Sequence, residues 1–177
     1  GVAAYMNSAN NVVENVGNEV DVTTSGSYAV GLVGYVYSSS YNTISMERCY
    51  NAGDISSTGN RSCALAQTRY WSNSYYRFTD CYNEGTIGNA NRSYSSGLAN
   101  CGNFMRCFNA GQVLGSYSYS IAQLSYTCAG CYAIDGCAIY NSTNTTLLSE
   151  DEMADPSLLA NLNVSDDVVW QPGRFHP

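Results

Sequence analysis

The chain has 177 residues, of which 45% are hydrophobic and only 12% charged, and 14 acidic residues outnumber seven arginines for a formal net charge of −7. This length suits one folded domain, and the abundant Gly, Ser, Asn and Tyr favour turns and short strands. The negative charge disfavours nucleic-acid binding, because a phosphate backbone would be repelled, and no apolar run approaches the ~20 residues that cross a bilayer.

Two short motifs recur along the chain in the same order, which indicates an internal repeat. The first begins at residues 1, 31, 64, 97 and 120, and its clearest copy is Gly-Leu-Val-Gly at Gly31–Gly34. The second begins at residues 16, 49, 81, 107 and 131, and its clearest copy is Cys-Tyr-Asn-Ala-Gly-Asp-Ile at Cys49–Ile55. Successive copies of the second motif are therefore 33, 32, 26 and 24 residues apart.

Each repeat is predicted to hold about three short strands. The first strand carries the first motif, the second leads into the Cys-Tyr pair, and the third follows an Asn-x-Gly turn whose glycine (Gly53, Gly85 or Gly111) fits a residue with positive φ. One such unit cannot bury its own apolar face, so units must stack at the ~4.8 Å strand spacing. The predicted fold class is therefore all-β, a β-helix-like β-solenoid of about five short coils over residues 1–144.

Residues 145–177 differ in composition and are predicted to form a small, partly helical C-terminal cap. Ser149–Glu152 has the Ser-x-x-Glu form of a capping box, and Asp155-Pro156 fits the start of another helical turn. A solenoid end needs cover for its strand edges. The apolar residues expected to cover the open end of the last coil are Leu148, Met153, Leu158, Leu159, Leu162 and Trp170.

Eight cysteines allow disulfides in an extracellular protein, but their positions favour another interpretation. Four of them share one repeat position, where the first copy has Val16, so we expect a reduced ladder of small buried side chains at Cys49, Cys81, Cys107 and Cys131. The other four are off-register and are better candidates for bridging: Cys63, Cys101, Cys128 and Cys137. A zinc site at Cys128-x-x-Cys131 is a third option, but it lacks a second pair of ligands. No cofactor is predicted.

Two groups of aromatic residues are candidate binding surfaces. The first follows the ladder cysteines and should point outward as an exposed stack, because neighbours alternate along a strand: Tyr50, Tyr82, Phe108 and Tyr132. The second lies in one of two insertions, Tyr35 to Met46 and Thr68 to Thr79, and comprises Tyr70, Trp71, Tyr75, Tyr76 and Phe78. Either group suits sugar rings or a protein partner. The alternatives are cross-strand stabilisation of the sheet for the first and ordering of the loop for the second.

Catalysis has little support in the sequence. The single histidine, His176, is next to last, a poor place for a preorganised nucleophilic site. Paired carboxylates, as in polysaccharide-cleaving β-helices, remain open through Asp54, Asp80, Asp135 or Glu84, although turn acids such as Asp54 more often cap strand ends. We therefore expect no enzymatic activity.

The second copy of both motifs, Gly31–Gly34 followed by Cys49–Ile55, resembles the GLUG repeat of bacterial surface and secreted proteins, which include immunoglobulin A peptidases and adhesin-like proteins. The resemblance covers about residues 1–140 and implies a β-solenoid at the bacterial cell surface or outside the cell. In the peptidases such repeats are accessory, and no His-Glu-x-x-His motif occurs here.

This resemblance leads to one expected function and two alternatives. The expected function is a non-catalytic adhesion or ligand-binding module of a larger protein, because the first repeat begins abruptly at Gly1. Its partners would be a glycan or a host or cell-surface protein, with no nucleic acid and no membrane insertion. The alternatives are a passive stalk that spaces another domain from the cell, and a polysaccharide-active β-helix enzyme.

Overall fold

The computed structural model describes residues 5–6, 10–36, 43–68, 75–91 and 94–163. We use the word layer for a run of strands that begins with one member of sheet 1 (β1, β6, β11, β15 or β19) and ends just before the next member. The first two layers hold β1 (Asn11–Glu14), β2 (Gly17–Asn18), β3 (Val22–Thr24), β4 (Tyr28–Val30), β5 (Val33–Val36), β6 (Ile44–Glu47), β7 (Tyr50–Asn51), β8 (Ile55–Ser57), β9 (Arg61–Cys63) and β10 (Ala66–Thr68). The third and fourth hold β11 (Tyr76–Thr79), β12 (Tyr82–Asn83), β13 (Ile87–Gly88), β14 (Tyr94–Ser96), β15 (Cys101–Met105), β16 (Phe108–Asn109), β17 (Val113–Leu114) and β18 (Tyr117–Tyr119). The fifth begins with β19 (Leu124–Ala129) and β20 (Cys131–Ile134), and β21 (Thr145–Leu148), α1 (Glu150–Met153) and α2 (Pro156–Leu162) follow.

Equivalent strands of successive layers pair in parallel and form five sheets in the described part of the chain. Sheet 1 has the order β1-β6-β11-β15-β19, and sheet 2 has the order β2-β7-β12-β16-β20-β21. Sheet 3 is β3-β8-β13-β17, sheet 4 is β4-β9-β14-β18, and sheet 5 pairs β5 with β10. The chain is therefore mostly β, with parallel sheets that are consistent with the predicted all-β, β-helix-like fold.

The register of the second motif is the predicted one. Tyr50 lies opposite Gly17 on one side and Tyr82 on the other, and Phe108 lies between Tyr82 and Tyr132. Backbone hydrogen bonds follow the same register, for example from Tyr82 N to the carbonyl of Cys49 at 3.1 Å. The internal alignment read from the sequence is therefore confirmed by strand pairing.

The first motif stacks in the same way and supplies part of the core. Leu65 N donates to the Leu98 carbonyl at 2.9 Å, and Leu98 N donates to the Ile121 carbonyl at 2.8 Å. These leucines and the isoleucine are fully buried. Full burial of such a side chain is worth roughly 1.5–3 kcal/mol, so each layer contributes to one continuous apolar core.

The layers contain more strands than the sequence pattern predicted. Three strands were expected in each repeat, but the described part of each of the first two layers has five. The extra members belong to sheets 2 and 4 and are only two or three residues long. So short a strand has no readable alternation, and its definition comes from hydrogen bonds to the layers on either side.

One corner residue stands in the left-handed region immediately before each position of the cysteine ladder. Its φ is 57° at Asn15, 51° at Arg48, 54° at Asp80, 50° at Arg106 and 61° at Gly130. Arg48 donates from Nε to Asn15 Oδ1 at 2.8 Å and also pairs with the carboxylate of the preceding Glu14. Arg106 donates to both oxygens of Asp80, at 2.6 and 2.7 Å. The side chains of this corner therefore link neighbouring layers.

The glycines of the Asn-x-Gly turns do not have the predicted positive φ. Among the described residues, the glycines with positive φ are Gly88, Gly115, Gly130 and Gly136. A Cβ on Gly85 would instead lie 2.0 Å from the Gly53 carbonyl oxygen, and one on Gly111 would lie 2.1 Å from that of Gly85. These positions need glycine because the backbones of adjacent layers approach closely, so the conformational explanation was wrong.

The two helices begin as predicted but lie elsewhere. Ser149 forms a capping box with Glu152, and Asp155 caps α2 before Pro156. Apolar residues from the helices pack with Tyr82 and Phe108, which belong to the third and fourth layers. They therefore pack on the outer face of sheet 2, in a cluster that is not confined to the end of the last layer. The predicted covering residues in this cluster are Leu148, which lies in β21, Met153, Leu158, Leu159 and Leu162; Trp170 lies outside the described residues.

Candidate functional site

The aromatic column of sheet 2 is stacked, but it is not the exposed surface that was expected. The ring centroids of Tyr50 and Tyr82 are 5.1 Å apart, and those of Tyr82 and Phe108 are 5.2 Å apart. Tyr82 is only 7% exposed and Phe108 only 6%, because the C-terminal helices pack on them. Tyr50 and Tyr132 are partly buried against the same cluster. The predicted exposure is wrong at Tyr82 and Phe108.

The insertion residues do not form a surface within the described part of the chain. Tyr76 is 1% exposed, and its hydroxyl donates to the Val36 carbonyl at 3.3 Å. It belongs to the core together with Phe78, which is 2% exposed, because both side chains point inward from β11. Tyr75 is partly buried, and Tyr70 and Trp71 lie outside the described residues. Tyr76 is therefore not a candidate binding residue.

The cysteine ladder is buried and unbridged, as its register predicted. Cys49, Cys81, Cys107 and Cys131 are all buried free thiols. Each donates to a nearby backbone carbonyl, as Cys81 Sγ does to the Thr79 carbonyl at 3.2 Å. Burial holds the pKa of the Cys81 and Cys107 thiols well above the ordinary value. These thiols therefore pack as small neutral side chains.

The off-register cysteines are also free and buried, so the bridges expected there are absent from the structure. These residues are Cys63, Cys101, Cys128 and Cys137. Burial raises the pKa of Cys63 to about 12 and that of Cys137 to about 11. No third His, Cys, Asp or Glu in the described ranges joins Cys128 and Cys131 in a group able to hold a metal ion.

A ladder of buried asparagines was missed by the sequence reasoning, although its members stand inside the second motif. Each side-chain amide donates to the side-chain oxygen one layer on: Asn18 to Asn51 at 2.8 Å, Asn51 to Asn83 at 2.8 Å and Asn83 to Asn109 at 2.7 Å. Each amide also donates to the carbonyl two residues ahead, as Asn83 does to Gly85 at 2.8 Å. The ladder is a structural device that fixes the stacking of the layers.

An exposed aromatic column lies on sheet 4 and was also missed. Tyr28, Arg61, Tyr94 and Tyr117 are direct neighbours across β4, β9, β14 and β18, and the ring of Tyr140 stacks on that of Tyr117 at 6.2 Å. Tyr28 is 50% exposed, and Tyr117 and Tyr140 are each 44% exposed. We call these five residues the tyrosine stripe. It is an aromatic column, stacked in part, that remains open across the layers of sheet 4.

The stripe presents ring edges and hydroxyl groups, because its ring faces contact one another. The rings of Tyr94 and Tyr117 are 4.9 Å apart and only 13° from parallel. The guanidinium of Arg61 lies 5.3 Å from the ring centroid of Tyr94, which is within cation–π range. The stripe therefore offers hydrogen-bonding groups that recur at about the strand spacing, together with one cation, Arg61.

The electrostatic setting of the stripe differs from that of the whole chain. No acidic residue occurs in β4, β9, β14 or β18. Arg61 forms no ion pair within the described residues, whereas Arg48 and Arg106 are both paired. Within the described residues, this acidic protein thus carries an open face whose arginine has no acidic partner.

Comparison of the chain with protein-family models, curated proteins and solved structures finds no match. None of the helices in the described residues has the length and apolar character that crossing a bilayer requires. Function is therefore inferred from the geometry of the stripe and from the repeat motifs.

A repeat signal for the stripe is present in the sequence. Its members are 33, 33, 23 and 23 residues apart, steps similar to those of the cysteine ladder. The column becomes visible when the alignment of the repeats is extended beyond the Asn-x-Gly turn. The sequence pattern did not predict it because the arginine at position 61 interrupts the aromatic series and because sheet 4 was not predicted.

The candidate catalytic carboxylates mostly serve as links between layers. Asp80 is 4% exposed and forms the paired hydrogen bonds with Arg106 described above. Asp54 accepts a hydrogen bond from Thr86 N at 2.7 Å, and its own N–H donates to Asp21 Oδ1 at 2.8 Å. Asp135 is exposed beside a left-handed glycine. These contacts agree with the capping role weighed for the turn acids.

Glu84 is expected to make stability fall as pH rises. Burial raises the pKa of its carboxyl group to about 7, compared with about 4.5 when exposed. The folded protein therefore keeps a proton that the unfolded chain releases, and the resulting stability is complete below pH 4.5 and lost as pH rises through 7. Urea unfolding at pH 5 and pH 8 will measure this loss. Glu84→Gln should remove it, and Glu150→Gln, at an exposed carboxylate, should not.

Proposed function

We propose that this chain is a non-catalytic binding module that holds an extended polysaccharide along its tyrosine stripe. In this proposal the parallel layers form a GLUG-like β-solenoid of about five coils with a partly helical cap. The module belongs to a larger bacterial surface or secreted protein and serves in adhesion. The support comes from the repeat motifs for the family and from the stripe for the binding role.

The observation that carries the proposal is the open column of hydroxyl-bearing rings on sheet 4. Tyrosine combines a large apolar ring with a polar tip, and it loses little conformational entropy when it makes contacts. In the stripe the entropy loss is smaller still, because Tyr94 and Tyr117 already restrain each other by stacking. The surface is therefore largely preorganised, which favours binding.

The shape of the stripe favours a polymer over a compact protein. Contacts recur at roughly the 4.8 Å strand spacing along one line, and a chain of sugars offers hydroxyl groups along a line in the same manner. A protein interface more often needs a wide patch with a buried central pocket. Sheet 4 offers a column one residue wide.

The proposal predicts that Tyr117→Ala weakens polysaccharide binding about tenfold, because a central aromatic contact is commonly worth more than 1 kcal/mol. The measurement is affinity electrophoresis and titration calorimetry against a panel of neutral and acidic polysaccharides. Tyr117→Phe keeps the stacked ring and removes only the hydroxyl, so it should give a smaller, measurable loss. The matched control is Tyr5→Ala, which removes a tyrosine that is 54% exposed and lies outside the stripe.

Two results would contradict this function. If the wild-type protein retains no polysaccharide on the panel, the passive stalk becomes the better explanation. If Tyr117→Ala and Tyr5→Ala bind as well as the wild type, binding occurs on another surface. Cleavage of a panel member would show that the chain is a polysaccharide-active enzyme.

A further inference from the structure

A groove of about 400 Å³ lies on the outer face of sheet 1, away from the strands that carry the stripe. Its polar lining comes from neighbouring strands in register: Arg77 on β11 lies opposite Asn103 on β15, which lies opposite Thr127 on β19. Thr79 and Met105 are the next pair along the same strands. We call these five residues the sheet 1 groove. Its volume falls within the range of small-molecule sites, roughly 300–1,000 Å³.

The floor of the groove is held in place by hydrogen bonds. Asn103 Nδ2 donates to the Tyr76 carbonyl at 3.3 Å, and Asn103 Oδ1 accepts from Thr127 Oγ1 at 3.0 Å. The pairing of β15 with β19 shifts register between Gly102 and Asn103. Such bulges re-aim side chains and are common beside functional sites. The asparagine is thus fixed between the longer side chains of the groove.

Arg77 gives the groove its charge. Its side chain is exposed, and in the described part of the chain it forms no ion pair. Glu47, the nearest carboxylate by strand register, lies diagonally across from it, opposite Thr79, and does not pair with it. An exposed guanidinium without an ion pair is suited to bind a carboxylate, through two parallel hydrogen bonds.

The remaining lining suits the rest of a sugar. Thr79 and Thr127 provide hydroxyl groups, and Met105 is 42% exposed and offers an apolar, polarizable contact. Arg77 and Thr127 are two strand spacings apart, about 9.6 Å, which is enough for one hexose ring between the guanidinium and the hydroxyl. We propose that the sheet 1 groove binds a single sugar acid, with its carboxylate on Arg77 and its hydroxyl groups facing Asn103 and Thr127.

The test compares D-galacturonate with D-galactose, which have the same ring stereochemistry but differ at the carboxylate. Titration of the intact protein, followed by amide NMR shifts and calorimetry, should show saturable binding of galacturonate at least tenfold tighter than that of galactose. Arg77→Gln should weaken galacturonate binding at least tenfold, and Arg77→Lys, which keeps the charge but not the paired geometry, should be intermediate. The control is Arg48→Gln, which removes an arginine already paired with Glu14.

Binding of a sugar acid in the sheet 1 groove is tested separately from binding of a polysaccharide on the tyrosine stripe. Equal affinity for galacturonate and galactose, unchanged binding by Arg77→Gln, or no saturable binding of galacturonate by the wild type would each overturn the proposal. Thermal unfolding of Arg77→Gln should match that of the wild type because the side chain is exposed, so a loss of binding with an unchanged midpoint assigns the loss to the groove. None of these results depends on Tyr117, so the groove proposal can fail while the stripe proposal holds, and the reverse.

Discussion

Replacing Asn83 by alanine is expected to lower the free energy of unfolding by about 3 kcal/mol, because it removes hydrogen bonds from groups that no water can reach. Asn83 sits in the middle of the asparagine ladder and is completely buried. It accepts from Asn51, and it donates to Asn109 and to the Gly85 carbonyl. Urea unfolding followed by circular dichroism will measure the loss.

Two further variants separate the hydrogen bonds from the loss of packing. Asn83→Asp nearly keeps the volume but replaces the donating amide by an oxygen that faces Asn109 Oδ1, so it should destabilise at least as much at neutral pH. Asn60→Ala removes an exposed asparagine and should change stability by less than about 0.5 kcal/mol. If Asn83→Ala were as mild as Asn60→Ala, the ladder would not be holding the layers together.

Replacing Gly85 by alanine is the second change with a large expected effect, about 3 kcal/mol or more of lost stability, at the upper end for overpacking. The new methyl group would lie 2.0 Å from the carbonyl oxygen of Gly53 and 2.6 Å from its carbon. Both contacts are with backbone, so no side-chain rotation relieves them. The layers themselves must separate, which lengthens the hydrogen bonds of sheet 2. The unfolding midpoint in urea is the measurement.

The matched control is Gly26→Ala. Gly26 is exposed, and a methyl group there would meet only the Thr24 hydroxyl, at 3.3 Å. Its φ is not in the left-handed region, so alanine there should be nearly neutral or slightly stabilising through the unfolded state. A Gly85→Ala protein as stable as Gly26→Ala would contradict the close approach of the layers.

The sequence was most informative where one side chain repeats in every layer. The identity of Cys49, Cys81, Cys107 and Cys131, with Val16 in the first copy, predicted both their register and their burial. Ser149 and Asp155 predicted the helix starts, because capping depends on residues only two or three positions apart. Predictions from local and strictly periodic sequence patterns therefore agree with the structure.

The errors concern contacts between parts of the chain with no common period. Tyr82 and Phe108 were expected in solvent, since nothing in the repeat indicates that helices 45 to 80 residues later in the chain cover them. Tyr76 was treated as part of an insertion because the length variation hid the start of β11. Gly85 was explained by conformation because a close approach between layers cannot be read from one layer.

The tyrosine stripe is a feature that the sequence pattern did not predict. Its members occupy equivalent positions, but Arg61 replaces an aromatic ring in the second layer, and strands β4, β9, β14 and β18 are only three residues long. A search for repeated identity therefore passes over a column that strand pairing makes continuous. The same holds for Arg77, Asn103 and Thr127, whose side chains share no chemistry until the sheet brings them together.

The charged corner before the cysteine ladder bears on how the chain avoids misfolding. Layers this similar are prone to slip by one whole repeat, because the backbone bonds and apolar contacts of the slipped state nearly match the native ones. Asp80 stands between Arg48 and Arg106 and is bonded to the latter. A slip that skips the Asp80 layer would place one guanidinium on another and leave a carboxylate without its partner. Three side chains thus help to give similar repeats a fixed order.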